Sequence, residues 1–99
     1  MHRLTPEEVR AALKSLSGWK RRGSAIERVF LWSDFAEAMR FVNRVARLAE
    51  RMQHHPDILI QWNQVRLTLT THDAQGLTAK DFELARRIEA LVSGRGRTG

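Results

Sequence analysis

The sequence contains no cysteine and no apolar run long enough to span a bilayer. The first absence excludes disulfides and thiolate metal ligands and fits a reducing intracellular setting. The second argues against a membrane span. The start, "MHRLTPEEVRAAL", is charged and amphipathic where a secretory signal would be continuously apolar, so a cytoplasmic protein without a membrane attachment is expected. Repeats, linkers and low-complexity segments are also missing. With 99 residues, 42% of them hydrophobic, the chain fits one compact domain, taken as residues 1–93, followed by a flexible basic tail over 94–99. What the chain has in excess is positive charge, a net +6 with a pI near 11.3. Clustered Lys and Arg attract phosphate without regard to sequence, yet no base-reading motif accompanies them here.

Proline and glycine are few, and several of them mark element ends. Thr5, Pro6 and Glu8 form a helix start: a threonine N-cap, proline at the first helical position and a carboxylate completing a capping box. Val9, Ala12, Leu13 and Leu16 follow at helical spacing, with Gly18 placed to end the helix. "WKRRGSAIERVFLW" reads as a hairpin in which Trp19 opens a short strand, Gly23 and Ser24 turn, and Ala25 to Trp32 form the second strand. Ser33 or Asp34 caps a second helix running to about Met52, with Phe35, Ala38, Val42, Val45, Ala49 and Met52 as its buried face. Pro56 requires that helix to have ended. "ILIQW" and "VRLTLTT" are two strands linked by Asn63 and Gln64. In the second, Val65, Leu67 and Leu69 point one way while Arg66, Thr68, Thr70 and, if alternation persists, His72 point the other. Thr78 caps a third helix carrying Phe82, Ala85, Ile88 and Val92. The order α-β-β-α-β-β-α predicts an α+β fold, a four-stranded antiparallel sheet with three helices packed on one face.

Histidine is scarce, four residues in all, yet His54 and His55 are adjacent where a helix must stop. His72 ends a strand of the following hairpin, and a short hairpin can return its far end toward its start, so three histidines are expected to converge. Metal-binding histidines commonly stand three to five residues apart and are joined by a carboxylate or cysteine, which adjacent histidines suit poorly. No metal is expected. Proton transfer fits better, because imidazole titrates near neutrality and serves as acid or base without a large shift. Just past a helix C-terminus, the partial negative charge of the last carbonyls favours the imidazolium form, so His54 is a candidate proton donor.

Glu50, "HHP" at His54 to Pro56, "WNQV" at Trp62 to Val65, "THD" at Thr71 to Asp73 and "GLTAKD" at Gly76 to Asp81 together resemble the pterin-4a-carbinolamine dehydratases. The resemblance covers nearly the whole chain and includes the element order and the third histidine, eighteen positions after His54. Where many relatives have an acidic residue before the histidine pair, this chain has Gln53. The resemblance implies a cofactor-free hydro-lyase of tetrahydrobiopterin recycling, which removes water from 4a-hydroxytetrahydropterin to give quinonoid dihydropterin. By position it implies His54 and His72 as the catalytic acid and base. His55, Trp62, Asp81 and Glu50 become substrate-binding candidates. Asp81 also suits a capping role three residues after Thr78, Glu50 an ordinary pairing with Arg47 or Arg51, and Trp62 simple packing.

The competing expectation is a dimeric protein-interaction module or transcriptional coactivator, since eukaryotic members of the resembled family partner a homeodomain transcription factor. A nucleic-acid binder ranks below it, although Arg40, Arg44, Arg47 and Arg51 form a basic stripe and Lys20 to Arg22 a second cluster. Either way a four-stranded sheet leaves two open edges, so a homodimer, or a tetramer built from dimers, is expected.

Overall fold

The computed structural model describes the backbone of residues 2–98 and the side chains of residues 2–93. The elements follow in the order α1 (Pro6–Leu13), β1 (Lys20–Arg22), β2 (Ala25–Leu31), α2 (Phe35–Met52), β3 (Asp57–Gln61), β4 (Gln64–Leu69), a 3-10 turn at His72–Ala74 and α3 (Ala79–Thr98). The strands form one antiparallel sheet in the order β1-β2-β4-β3, and the chain has the α+β architecture its sequence pattern predicts. The basic tail expected over 94–99 falls on residues whose side chains lie outside the description.

One face of the sheet makes the core. Pairing sets Ile26 opposite Leu69 and Phe30 opposite Val65, and all four are buried. Val9 of α1, Phe41, Val45 and Leu48 of α2, and Phe82, Leu84 and Ile88 of α3 close over them. Each such side chain, removed from water, contributes roughly 1.5–3 kcal/mol. The alternation Val65, Leu67, Leu69 in β4 is obeyed strictly, because a strand with one dry face tolerates no slip of register.

Several boundaries differ from those expected. The first helix ends at Leu13, short of Leu16 and Gly18. Leu16 N–H bonds Leu13 O and Trp19 N–H bonds Leu16 O, so a run of tight turns carries the chain onward. Leu16 is still buried, but from those turns. Gly18 serves a close approach in place of a helix end: a Cβ there would lie 2.6 Å from the Arg28 guanidinium carbon. Arg28 in turn lies over the Phe30 ring and pairs with Glu89, which also accepts the Trp19 indole N–H. Trp19 thus precedes β1 and belongs to the core. The β3–β4 turn is Trp62–Asn63, one residue earlier than expected, with Gln61 paired to Gln64. Asn63 fixes it there, since its side-chain amide donates to Trp32 O and its carbonyl accepts Trp32 N–H, both at 2.9 Å. Trp62 carries the positive φ, 52°. Phe35, expected on the buried face of α2, is 51% exposed at the first residue of the helix, and Phe41 and Leu48 fill that face.

Candidate active site

The end of α2 explains the histidine pair. Gln53 is left-handed at φ 54°, His54 N–H reaches back to Ala49 O at 3.1 Å and Gln53 N–H to Glu50 O at 3.3 Å, the two bonds of a Schellman motif. Pro56 follows and prevents resumption of the helix. The backbone of His54 is thereby fixed as part of a helix terminus. Its ring is fixed from the other side, since Nε2 lies 2.6 Å from Oδ1 of Asp81. Asp81, in the first turn of α3, is fully buried. Its second oxygen, Oδ2, accepts the Thr78 backbone N–H at 2.9 Å and the Thr71 hydroxyl at 2.8 Å. Lys80 N–H donates to Thr78 Oγ1 at 3.3 Å, so Thr78 caps α3 as expected. Asp81 thus caps α3 with one oxygen, as expected, and contacts His54 with the other.

His72 does not continue the alternation of β4. The strand ends at Leu69, Thr71 pairs with Gly76 through two backbone bonds, and His72 opens the 3-10 turn inside that small loop. It is exposed. His54, His55 and His72 line one cavity of about 250 Å³, together with Gln53, Thr70, Thr71, Asp73 and Lys80. A larger groove, about 470 Å³, is lined by residues including Arg3, Arg21 and Gln75 but holds neither histidine nor carboxylate, so it lacks acid-base groups. His55 Nε2 lies 2.6 Å from Glu50 Oε2, with both side chains mostly exposed. Trp62 stands apart from the cavity. It is 66% exposed at the far end of the β3–β4 hairpin, about 16 Å along a five-residue strand at the usual rise.

Thr70, Thr71, Asp73 and Lys80 join the site without having been singled out from the sequence. Thr71 offered one signal, its place beside His72 in "THD", but a threonine ending a strand has many ordinary uses. Among the described residues, no group of three or more His, Asp or Glu side chains is placed to hold a metal ion. Chemically, the cavity offers one imidazole anchored to a buried carboxylate and two exposed ones, His55 paired with Glu50 and His72 from the loop after β4.

Such a fold and site define a small α+β protein whose histidines converge on one cavity beside a buried carboxylate. Residues 2–91 match the model of the pterin 4 alpha carbinolamine dehydratase family, and the chain belongs to that family. A protein of Acidobacterium capsulatum with a provisional pterin-4-alpha-carbinolamine dehydratase name is 55% identical over 92 residues, covering 93% of this chain and all of its own. One of Thermomicrobium roseum, named in the same provisional way, is 48% identical over 93 residues, covering 94% of this chain and 100% of its own. Among solved structures, a transcriptional coactivator/pterin dehydratase from Brucella melitensis superposes with a TM-score of 0.86 at 38% identity, covering 90% of this chain and 97% of that one. A pterin dehydratase-like protein described as a RuBisCO assembly factor in the alpha-carboxysome has a TM-score of 0.65 at 23% identity, over 75% of this chain and 88% of its own, and shares the fold.

Proposed function

We propose that this protein removes water from 4a-hydroxytetrahydropterin to give quinonoid dihydropterin, by acid-base catalysis between His54 and His72. The observation that carries the reading is that these two imidazoles line one cavity, with His54 bonded at 2.6 Å to a fully buried carboxylate. Hydroxide leaves C4a poorly, so an acid must protonate the departing oxygen. The N5 lone pair then expels water and leaves an iminium, which a base relieves of its N5 proton. The C4a–O bond breaks, the C4a–N5 double bond forms, and no electrons enter or leave. One acid and one base complete the sequence, each contributing roughly a hundredfold to ten-thousandfold in rate. Membership of the dehydratase family supports the substrate class. His55, which lines the cavity, and Glu50, which pairs with it, are assigned to substrate binding. Asp81 acts through His54.

The test is to generate 4a-hydroxytetrahydropterin in solution and follow its conversion to quinonoid dihydropterin by absorbance with and without the protein. Acceleration that saturates with substrate is expected. A rate equal to that in buffer would overturn the assignment.

A second reading, a protein-interaction role, is favoured by one observation: the sheet face opposite the helices exposes Val29, Leu31 and Leu59. The coactivator half of the Brucella protein's description is consistent with it. The two roles use different surfaces and are compatible.

A further inference from the structure

We infer that Thr71 is a positioning residue which, through Asp81, fixes His54 with its proton on Nε2 and leaves Nδ1 as the nitrogen open to the cavity. The part concerning catalysis rests on the dehydratase reading above; the part concerning the ring does not.

The contacts around Thr71 allow each hydrogen to be assigned in turn. A threonine hydroxyl has one hydrogen to give. Thr71 gives its own to Asp81 Oδ2 at 2.8 Å, so the 2.9 Å contact between the Thr71 and Thr78 hydroxyls is donated by Thr78. Thr78 Oγ1 meanwhile accepts Lys80 N–H, and Thr78 N–H is the second donor to Oδ2. The hydrogens thus run one way, from Thr78 to Thr71 to Asp81, in a cluster whose three side chains are at most 4% exposed. Oδ2 accepts two hydrogens, the bonding pattern of a carboxylate oxygen. Asp81 lies at the positive end of α3, and His54 just past the negative end of α2. All three features place the hydrogen of the His54–Asp81 contact on Nε2.

Nδ1 is then the nitrogen left for chemistry. Among the described residues no protein group bonds it. Nor is it a buried atom left without a partner, so it reaches solvent at the cavity that His54 lines. Thr71 occupies the position that joins both halves of the site. Its hydroxyl orients Asp81, its backbone closes the loop with Gly76, and its carbonyl accepts Ala74 N–H in the turn that begins at His72.

The experiment uses the whole chain labelled with nitrogen-15 at histidine, and reads the two ring nitrogens of His54 by NMR while the imidazole is neutral. The expected result is protonated Nε2 and unprotonated Nδ1 in the parent, retention of that state in Thr71→Ser, and a mixture of tautomers in Thr71→Val. With turnover as the second readout, Thr71→Val should lower kcat about ten- to a hundredfold, the range for removing one hydrogen bond to a charged group. KM should stay near the parent value, the His54 limb of the pH profile should move, and Thr71→Ser should restore all three. A proton on Nδ1 in the parent overturns the inference even if Thr71→Val does not fold. So does a folded Thr71→Val with parental tautomer, kcat and pH profile. If no dehydration is seen with any variant, the function above fails, while the spectra alone still decide the tautomer.

Discussion

His54 and His55 are neighbours with opposite surroundings. The side chain of His54 is 11% exposed and bonded to a buried carboxylate, whereas that of His55 is 58% exposed beside a Glu50 side chain that is 70% exposed. A largely buried, anchored ring with one open nitrogen suits proton transfer, and an exposed ring lining the cavity suits substrate contact. His54→Ala and His72→Ala are therefore each expected to lower kcat by about a hundredfold to ten-thousandfold, with His55→Ala acting mainly on KM. Steady-state kinetics of the three variants checks this, and equal kcat values would remove the assigned roles. Glu50→Gln should cost little stability, because an exposed pair is worth about 0–1 kcal/mol. Turnover is also expected to be unchanged after prolonged dialysis against a chelator, since adjacent histidines cannot both face one ion easily. Loss of activity that zinc restores would contradict that. At this scale the convergence of the three histidines was legible in the sequence because few residue types move protons near neutrality and their spacing was distinctive, while Asp81 stood out through the family resemblance and its place three residues after Thr78. Thr71 was not, because its role depends on a hydroxyl meeting a carboxylate ten positions away, which periodicity cannot reveal.

Local chemistry governs the elements where it is strong. The capping box read from Thr5 and Glu8 is present in full, with Glu8 N–H on Thr5 Oγ1 at 3.1 Å and Thr5 N–H on Glu8 Oε1 at 2.8 Å. The Thr5 backbone N–H is the main reason the Glu8 carboxyl is held below its ordinary value of 4.5, with help from His2. A depressed carboxylate stabilises the fold above its unfolded-state value and ceases to as the pH falls through the lower folded-state value. The Tm of Glu8→Gln, which keeps an acceptor but no charge, should therefore lie below that of the parent above pH 4.5, and the gap should close on further acidification. A gap that widens in acid would refute the capping role. Thr5→Ala should cost about 0.5–2 kcal/mol at neutral pH, read from denaturant unfolding. Elsewhere long-range contacts displaced boundaries that local patterns suggested. Asn63, bonded twice to Trp32, moved the hairpin turn one residue toward the N-terminus and put a tryptophan in the left-handed region. Gly18 resembles a helix end in sequence but is dictated by Arg28, ten positions on in the next hairpin.

The whole molecule has two open sheet edges that differ in character. β1 is three residues long and consists of Lys20, Arg21 and Arg22, all exposed, which is how proteins blunt an edge against pairing. β3 is five residues long, and Ile58 and Leu59 on it are 36% and 45% exposed. Backbone groups on an apolar edge of that length call for a partner. The exposed stripe Arg40, Arg44, Arg47 and Arg51 along α2 works against association through that helix. The hydrogen bond that Arg40 donates to Glu37 is the chief cause that holds Arg40 even more firmly protonated than usual, and four guanidiniums facing their own copies would repel unless each were paired. The expected assembly is therefore a two-fold dimer through β3, favoured over a tetramer that also packs α2 on α2. In an antiparallel β3–β3 pair the middle residue, Leu59, lies nearest the two-fold axis, so each copy meets its own equivalent there. Leu59→Lys would set like charges opposite one another at the centre of the joint, which destabilises a cross-strand pair directly. Light scattering at moderate salt should give a dimer for the parent and a monomer for Leu59→Lys at micromolar concentration, with circular dichroism unchanged because the side chain lies at an exposed edge. A parent that is monomeric and fully active would show instead that β3 is protected without a partner, and a Leu59→Lys dimer would move the joint to another surface.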